Sequence, residues 1–190
     1  MDNVIYVASL SAAPGTTVPL SVCMKNSAPI RGFQFDLYLP DGVTAVKNNK
    51  GRIQASLSKE RLPEDDEHTL TVAEQVDGAV RFLCGSQYDE TFTGSDGEVA
   101  TLMVNIPADM SPGDYPVMLK DMKLTETDIS KFYETDYVES TLSIIPSSIE
   151  GVLNDGGREV QVFSLSGQRL AATRKGINTS RSEERRVGKE

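Results

Sequence analysis

The chain has no tryptophan, one histidine (His68) and two cysteines (Cys23 and Cys84) among its 190 residues. Each scarcity removes a class of chemistry. A lone histidine cannot build a His-based metal centre, and no Gly-x-Ser-x-Gly elbow supplies a nucleophile for it to activate. No glycine-rich phosphate loop or Asp-x-Asp-x-Asp-Gly calcium repeat is present. No apolar run approaches the roughly 18 residues that cross a bilayer as a helix. Bases number 19 against 28 acids, for a net charge of −9. The bases form no stripe able to neutralise a phosphate backbone, so nucleic acid is not expected as a partner. Without tryptophan, stacking of sugars on a flat sheet would fall to Tyr38 or Tyr88. No catalytic residue, metal ligand or cofactor is therefore assigned. His68 reads as a surface residue. Glu64-Asp65-Asp66-Glu67 reads as a solvated acidic loop, because Ca²⁺ ligands normally alternate around a glycine turn.

What the chain has is alternation. From Ile30 to Leu39, Phe33, Phe35, Leu37 and Leu39 fall on one face of an extended segment and Gln34, Asp36 and Tyr38 on the other. A Pro40-Asp41-Gly42 turn closes it. The same period recurs in Asn3 to Ala8, Thr17 to Lys25, Val43 to Lys47, His68 to Gln75, Ala79 to Cys84, Glu98 to Ile106, Tyr115 to Leu124 and Tyr137 to Ile145. Nine strands separated by turn residues predict an all-β fold, an antiparallel sandwich. Asp77-Gly78 reads as a tight hairpin. Pro19 and Pro116 fall inside strand patterns, which places both strands at sheet edges or at bulges. Arg52 to Arg61 has the spacing of a short helix, and Thr125 to Thr135 reads as a loop or helical turn. Parity turns Cys23 outward and Cys84 inward, which argues against a disulfide unless a bulge reverses one of them. Parity also assembles a candidate partner-binding face from Gln34, Asp36 and Tyr38 on one strand and Arg81 and Leu83 on another. Leu83 is its apolar member.

Residues 1–145 form the predicted sandwich. The texture changes at 146–157, a linker rich in Pro, Ser, Gly and Asn, and short alternating runs return over 158–178. Residues 179–190 are set aside as a tail. The last ten of them match, residue for residue, one translated frame of a common short-read sequencing adapter and are expected to be non-native.

Thr17-Val18-Pro19-Leu20-Ser21-Val22 through Gly32-Phe33-Gln34-Phe35-Asp36-Leu37, with Pro112-Gly113-Asp114-Tyr115-Pro116-Val117, resembles the cohesin domain family over about residues 3 to 145. The resemblance implies a nine-stranded jelly-roll sandwich with an exposed sheet face that binds dockerin modules. Its wider fold relatives include carbohydrate-binding modules. Val160 to Leu170 followed by Lys175-Gly176-Ile177 looks like a truncated C-terminal sorting domain of type IX secretion cargo. Together these imply an exported bacterial surface or secreted protein, monomeric, whose signal peptide lies upstream of this sequence. Its partner would be a dockerin-like module or, on the rival readings, a polysaccharide or none, the domain then serving as a passive spacer.

Overall fold

A computed structural model describes residues 3–64 and 67–146, and the backbone of Val162–Phe163 and Arg169–Leu170. The remaining linker, sorting-segment and tail residues, and Asp65-Asp66 of the acidic loop, lie outside the described residues. The chain divides into two units, Met1–Ser148 and Ile149–Glu190.

The first unit is all-β, a sandwich of two curled sheets. Its strands are β1 (Asn3–Val7), β2 (Leu10–Ala12), β3 (Thr17–Asn26), β4 (Ile30–Tyr38), β5 (Thr44–Ala45), β6 (Ala55–Leu57), β7 (His68–Glu74), β8 (Val80–Ser86), β9 (Asp96–Asn105), β10 (Gly113–Glu126) and β11 (Phe132–Ile144). One sheet runs β1-β3-β9-β5, with β6 also on β9, and the other runs β2-β11-β10-β4-β8-β7. All pairings are antiparallel except β11 with β2. In the second unit, β12 (Val162–Phe163) and β13 (Arg169–Leu170) form an antiparallel pair.

The alternation that defines the strands also defines the core. Phe33, Phe35 and Leu37 of β4 are buried, as are Leu20, Val22 and Met24 of β3, Phe82 of β8 and Leu102 and Val104 of β9. Phe35 stacks on Phe82 with ring centroids 4.7 Å apart. Two inward faces thus interdigitate in the way of a jelly-roll sandwich.

Several expectations are corrected. Among the described residues the sandwich shows eleven strands, because two three-residue strands, β2 and β6, are too short to show a period. β2 arises where the chain leaves β1 at Ala8–Ser9 and crosses to the other sheet. Arg52 to Arg61 is not a helix: it contains β6 and one 3₁₀ turn, Lys59–Arg61, capped by Ser58. Thr125 to Thr135 belongs mostly to the β10–β11 hairpin, and only the residues between Glu126 and Phe132 turn. Neither proline strand is a sheet edge. β3 lies between β1 and β9, but β1 reaches only Val22, so Pro19 has a strand on one side alone. β10 lies between β11 and β4, but β4 begins at Met118, so Pro116 is also one-sided. The absent N–H is tolerated there because nothing is present to accept it.

Candidate partner-binding face

The outer surface of the six-stranded sheet is built from cross-strand registers. Arg81 of β8 stands opposite Asp36 of β4, and Asp36 opposite Lys120 of β10, which in turn faces Tyr137 of β11. A parallel row runs Thr71, Leu83, Gln34, Lys123, Glu134. The five residues singled out from parity therefore lie on one surface, four of them in adjacent cross-strand pairs.

Their environments differ. Asp36 is only 3% exposed, although it points away from the core. Arg81 covers it: Nε and Nη2 each donate to one carboxylate oxygen at 2.6 Å. A bidentate pair of this kind is the strongest geometry available to a guanidinium, and Asp36 holds the Arg81 pKa above its ordinary value. Tyr38 turns along the strand and donates its hydroxyl to Asp77 Oδ2 at 2.7 Å. That bond raises the phenol pKa and lowers that of Asp77. The Lys120 ammonium lies 4.7 Å from the centre of the Tyr38 ring. The Lys123 ammonium lies 3.8 Å from the centre of the Phe132 ring. Both contacts are of cation–π type.

One further row of this face was not foreseen. Gly32 of β4 and Gly85 of β8 are directly paired, so the sheet carries no side chains there. The result is a trough of about 220 Å³ whose lining includes Leu83, Gly32, Gly85, Lys123, Thr125 and Ile129. Leu83 is 52% exposed, Ile129 71% and Phe132 46%, so the trough is bordered by apolar side chains open to solvent. A β-carbon on Gly32 would meet the Cys84 carbonyl oxygen at 2.7 Å, whereas one on Gly85 would meet nothing within 4 Å. Gly32 is thus required by backbone approach, and Gly85 faces the open trough. Glycine inside a strand is the signal for close approach; the pairing that makes a trough of two such glycines is set by register.

The other candidates lie elsewhere. His68 is not a surface residue: it shares the inward parity of Leu70 and Val72, is buried, and packs its ring 4.4 Å from that of Phe92. Cys84 is buried inward. Cys23 pairs with Tyr6 on the outer face but is covered, and neither cysteine is in a disulfide. Tyr88 is exposed in the loop after β8. Among the described residues no group of acids, cysteines and histidine has metal-ligating geometry, and no helix is long and apolar enough to cross a membrane.

No family model matches the chain, and no curated protein does. Solved structures do, cohesins among them. A type I cohesin from Clostridium thermocellum, determined with its dockerin, is 18% identical with a TM-score of 0.60, covering 76% of this chain and all of that one. A cohesin of Clostridium acetobutylicum is 15% identical at a TM-score of 0.58, over 76% of this chain and 91% of that one. A non-cellulosomal cohesin of the archaeon Archaeoglobus fulgidus is 14% identical at 0.54, over 76% and 92%. The first unit therefore has the cohesin fold.

Proposed function

We propose that the sandwich is a non-catalytic protein-binding module that seats a dockerin-like partner on the outer face of β10, β4, β8 and β7. The observation that carries this reading is the glycine-floored trough with Leu83 on one side and Ile129 and Phe132 near the other. Apolar side chains around a shallow depression, with Arg81 and Lys123 beside them, are the make-up of an interface centre with a polar surround. The cohesin fold supports the same reading, since solved relatives are held in complexes with dockerins. The setting we infer is an exported bacterial protein, in keeping with the sequence resemblance beyond residue 157.

A sugar-binding reading finds less support. A pyranose stacks on a bare aromatic face; Tyr38 already carries a lysine over its ring, and Tyr88, although exposed, stands singly in the loop after β8.

The test uses biolayer interferometry of the full chain against a panel of recombinant dockerin modules. Gly85→Val fills the trough without a backbone clash, and Leu83→Asp removes its apolar border. Each is expected to weaken binding by at least about tenfold, a loss of roughly 1.4 kcal/mol or more for a central contact. Binding unchanged in both variants, or no dockerin bound at high micromolar concentration, overturns the proposal; the latter favours a spacer.

A further inference from the structure

The free edges of the two sheets are mostly short: five residues in β1, three in β2, two in β5 and three in β6. β7 is different. It pairs with β8 along seven residues in unbroken register, and among the described residues no strand is hydrogen-bonded to its other side. It contains no proline, no bulge and no lysine, the usual devices that blunt an edge. The hairpin fixes which amides face outward. Gln75 N–H donates to the Ala79 carbonyl at 2.8 Å, so this is a bonded pair, and bonded pairs recur at every second residue. Thr69, Thr71 and Ala73 accordingly turn their amides to β8. Leu70, Val72 and Glu74 turn theirs to the open edge.

A groove of about 730 Å³ lies beside this edge, between β7 and the segment from Lys47 to Ala55. Leu70, Val72, Ile53 and Ala55 line it, with Lys47 and Arg52 as its cations. Leu70 and Val72 are only half-buried although their parity is inward, because the sandwich is open on this side. Lys47 is paired with Glu74. Lys50 and Arg52 have no ion-pair partner among the described residues, and they make this corner positive on a chain of net charge −9.

We propose that β7 is a docking edge for an extended peptide strand of a partner protein, with small apolar side chains alternating with polar ones and acidic residues at the end beside Arg52. Such a strand bonds the outward amides and carbonyls of Leu70, Val72 and Glu74. Its alternate side chains cover the half-buried Leu70, Val72 and Ile53 and extend the core by one strand. Its acids meet Lys50 and Arg52. The edge is separate from the glycine trough, so the two proposals stand or fall independently.

The probes are two fluorescein-labelled peptides, Asp-Asp-Val-Thr-Val-Thr-Val-Thr and its reverse, with counterparts in which lysine replaces aspartate. Fluorescence anisotropy with the full chain is expected to show saturable binding of at least one acidic peptide and weaker binding of its lysine counterpart. Val72→Pro removes one outward N–H without touching the β8 ladder, and should weaken binding about tenfold, the worth of one well-made hydrogen bond. Arg52→Glu, an exposed change that leaves the strand alone, should weaken it about three- to tenfold and reduce its salt dependence. Hydrogen exchange should slow at Leu70 and Val72 when peptide is added. Gly85→Val should change none of this. Equal affinity for acidic and lysine peptides, unchanged affinity in both variants, or no binding at millimolar peptide overturns the proposal. So does self-association of the chain through this edge, abolished by Val72→Pro, which makes a second copy the occupant.

Discussion

Arg61 is the charged residue whose removal should damage the fold most. It is 2% exposed and closes the 3₁₀ turn after β6. Its Nε donates to the Thr93 carbonyl at 2.6 Å and its Nη1 to the Met24 carbonyl at 2.6 Å. Nη2 donates to Asn26 Oδ1 at 2.7 Å and to the Gly94 carbonyl at 2.9 Å. One side chain thus ties the turn to the end of β3 and to the segment entering β9. Burial pulls its pKa down, opposed by the charges of Asp96 and Glu60. Arg61→Met keeps much of the volume and leaves four acceptors unserved. An orphaned buried acceptor costs about 1–3 kcal/mol, but water reaching the Thr93 and Gly94 side will satisfy part of the deficit. The expected loss is therefore about 3–5 kcal/mol, the range seen when a buried charged network loses one member. At roughly 2–4 °C per kcal/mol for a domain of this size, the melting temperature should fall by about 10–15 °C. Arg61→Lys keeps the charge but cannot reach four acceptors, and should recover about half the loss. Urea and thermal denaturation followed by circular dichroism read these values. A loss below about 1 kcal/mol for Arg61→Met, or equal losses for Met and Lys, would refute the reasoning, since the acceptors would then be served by something other than the guanidinium.

Gly32→Ala should destabilise by about 1–3 kcal/mol, because its β-carbon meets backbone that cannot move aside, while Gly85→Ala should be close to neutral; the two denaturation midpoints decide it. The Tyr6 hydroxyl donates to Asp96 at 2.8 Å, and its pKa is pushed up to about 12 from the ordinary 10.0, by that bond first and burial second. The raised folded-state pKa means that the stability from this bond is complete below pH 10 and lost as the pH rises through 12. Absorbance titration at 295 nm should show a late-ionising tyrosine that Asp96→Asn returns toward 10, and an unchanged curve in the variant would count against the bond. Ellman's reagent should find neither thiol in the folded chain and both after denaturation, since Cys23 and Cys84 are buried and Cys23 has its pKa raised by burial first.

The strands that the sequence revealed are those that bury one face over at least five residues or so. β4, β3 and β9 write their core in period two, and β5 shows its period only through the apolar residues flanking it. β2 and β6 are three residues each and are made by their neighbours' ladders. The far ends of β10 and β11 extend past the core, where neither face needs to be apolar, so Glu126 and Glu134 carried no strand signal. A bulge at Asp121, with φ of 51°, shifts β10 by one residue against β4. Its trace was visible, because the inward residues change from the odd Val117 and Leu119 to the even Met122 and Leu124. His68 was likewise legible, since it shares parity with Leu70 and Val72; its polarity argued for the surface and the strand's pleat decided otherwise.

Parity places residues on a face; register decides which of them touch. Gln34, Asp36, Arg81 and Leu83 could be assigned to one surface from two strands alone. That Asp36 would be sealed by Arg81, 45 residues away, depends on how β4 and β8 slide against each other. The glycine trough depends on the same offset. A slip of one residue between β4 and β8 would turn one strand's face over, and a slip of two would set Gly32 opposite Leu83 or Gln87 instead of Gly85. The offset is held by the Phe35–Phe82 stack and the Asp36–Arg81 pair on opposite faces of adjacent positions. The trough is thus a by-product of contacts made elsewhere on the same two strands, which is why two unremarkable glycines form the feature on which the proposed partner binding rests.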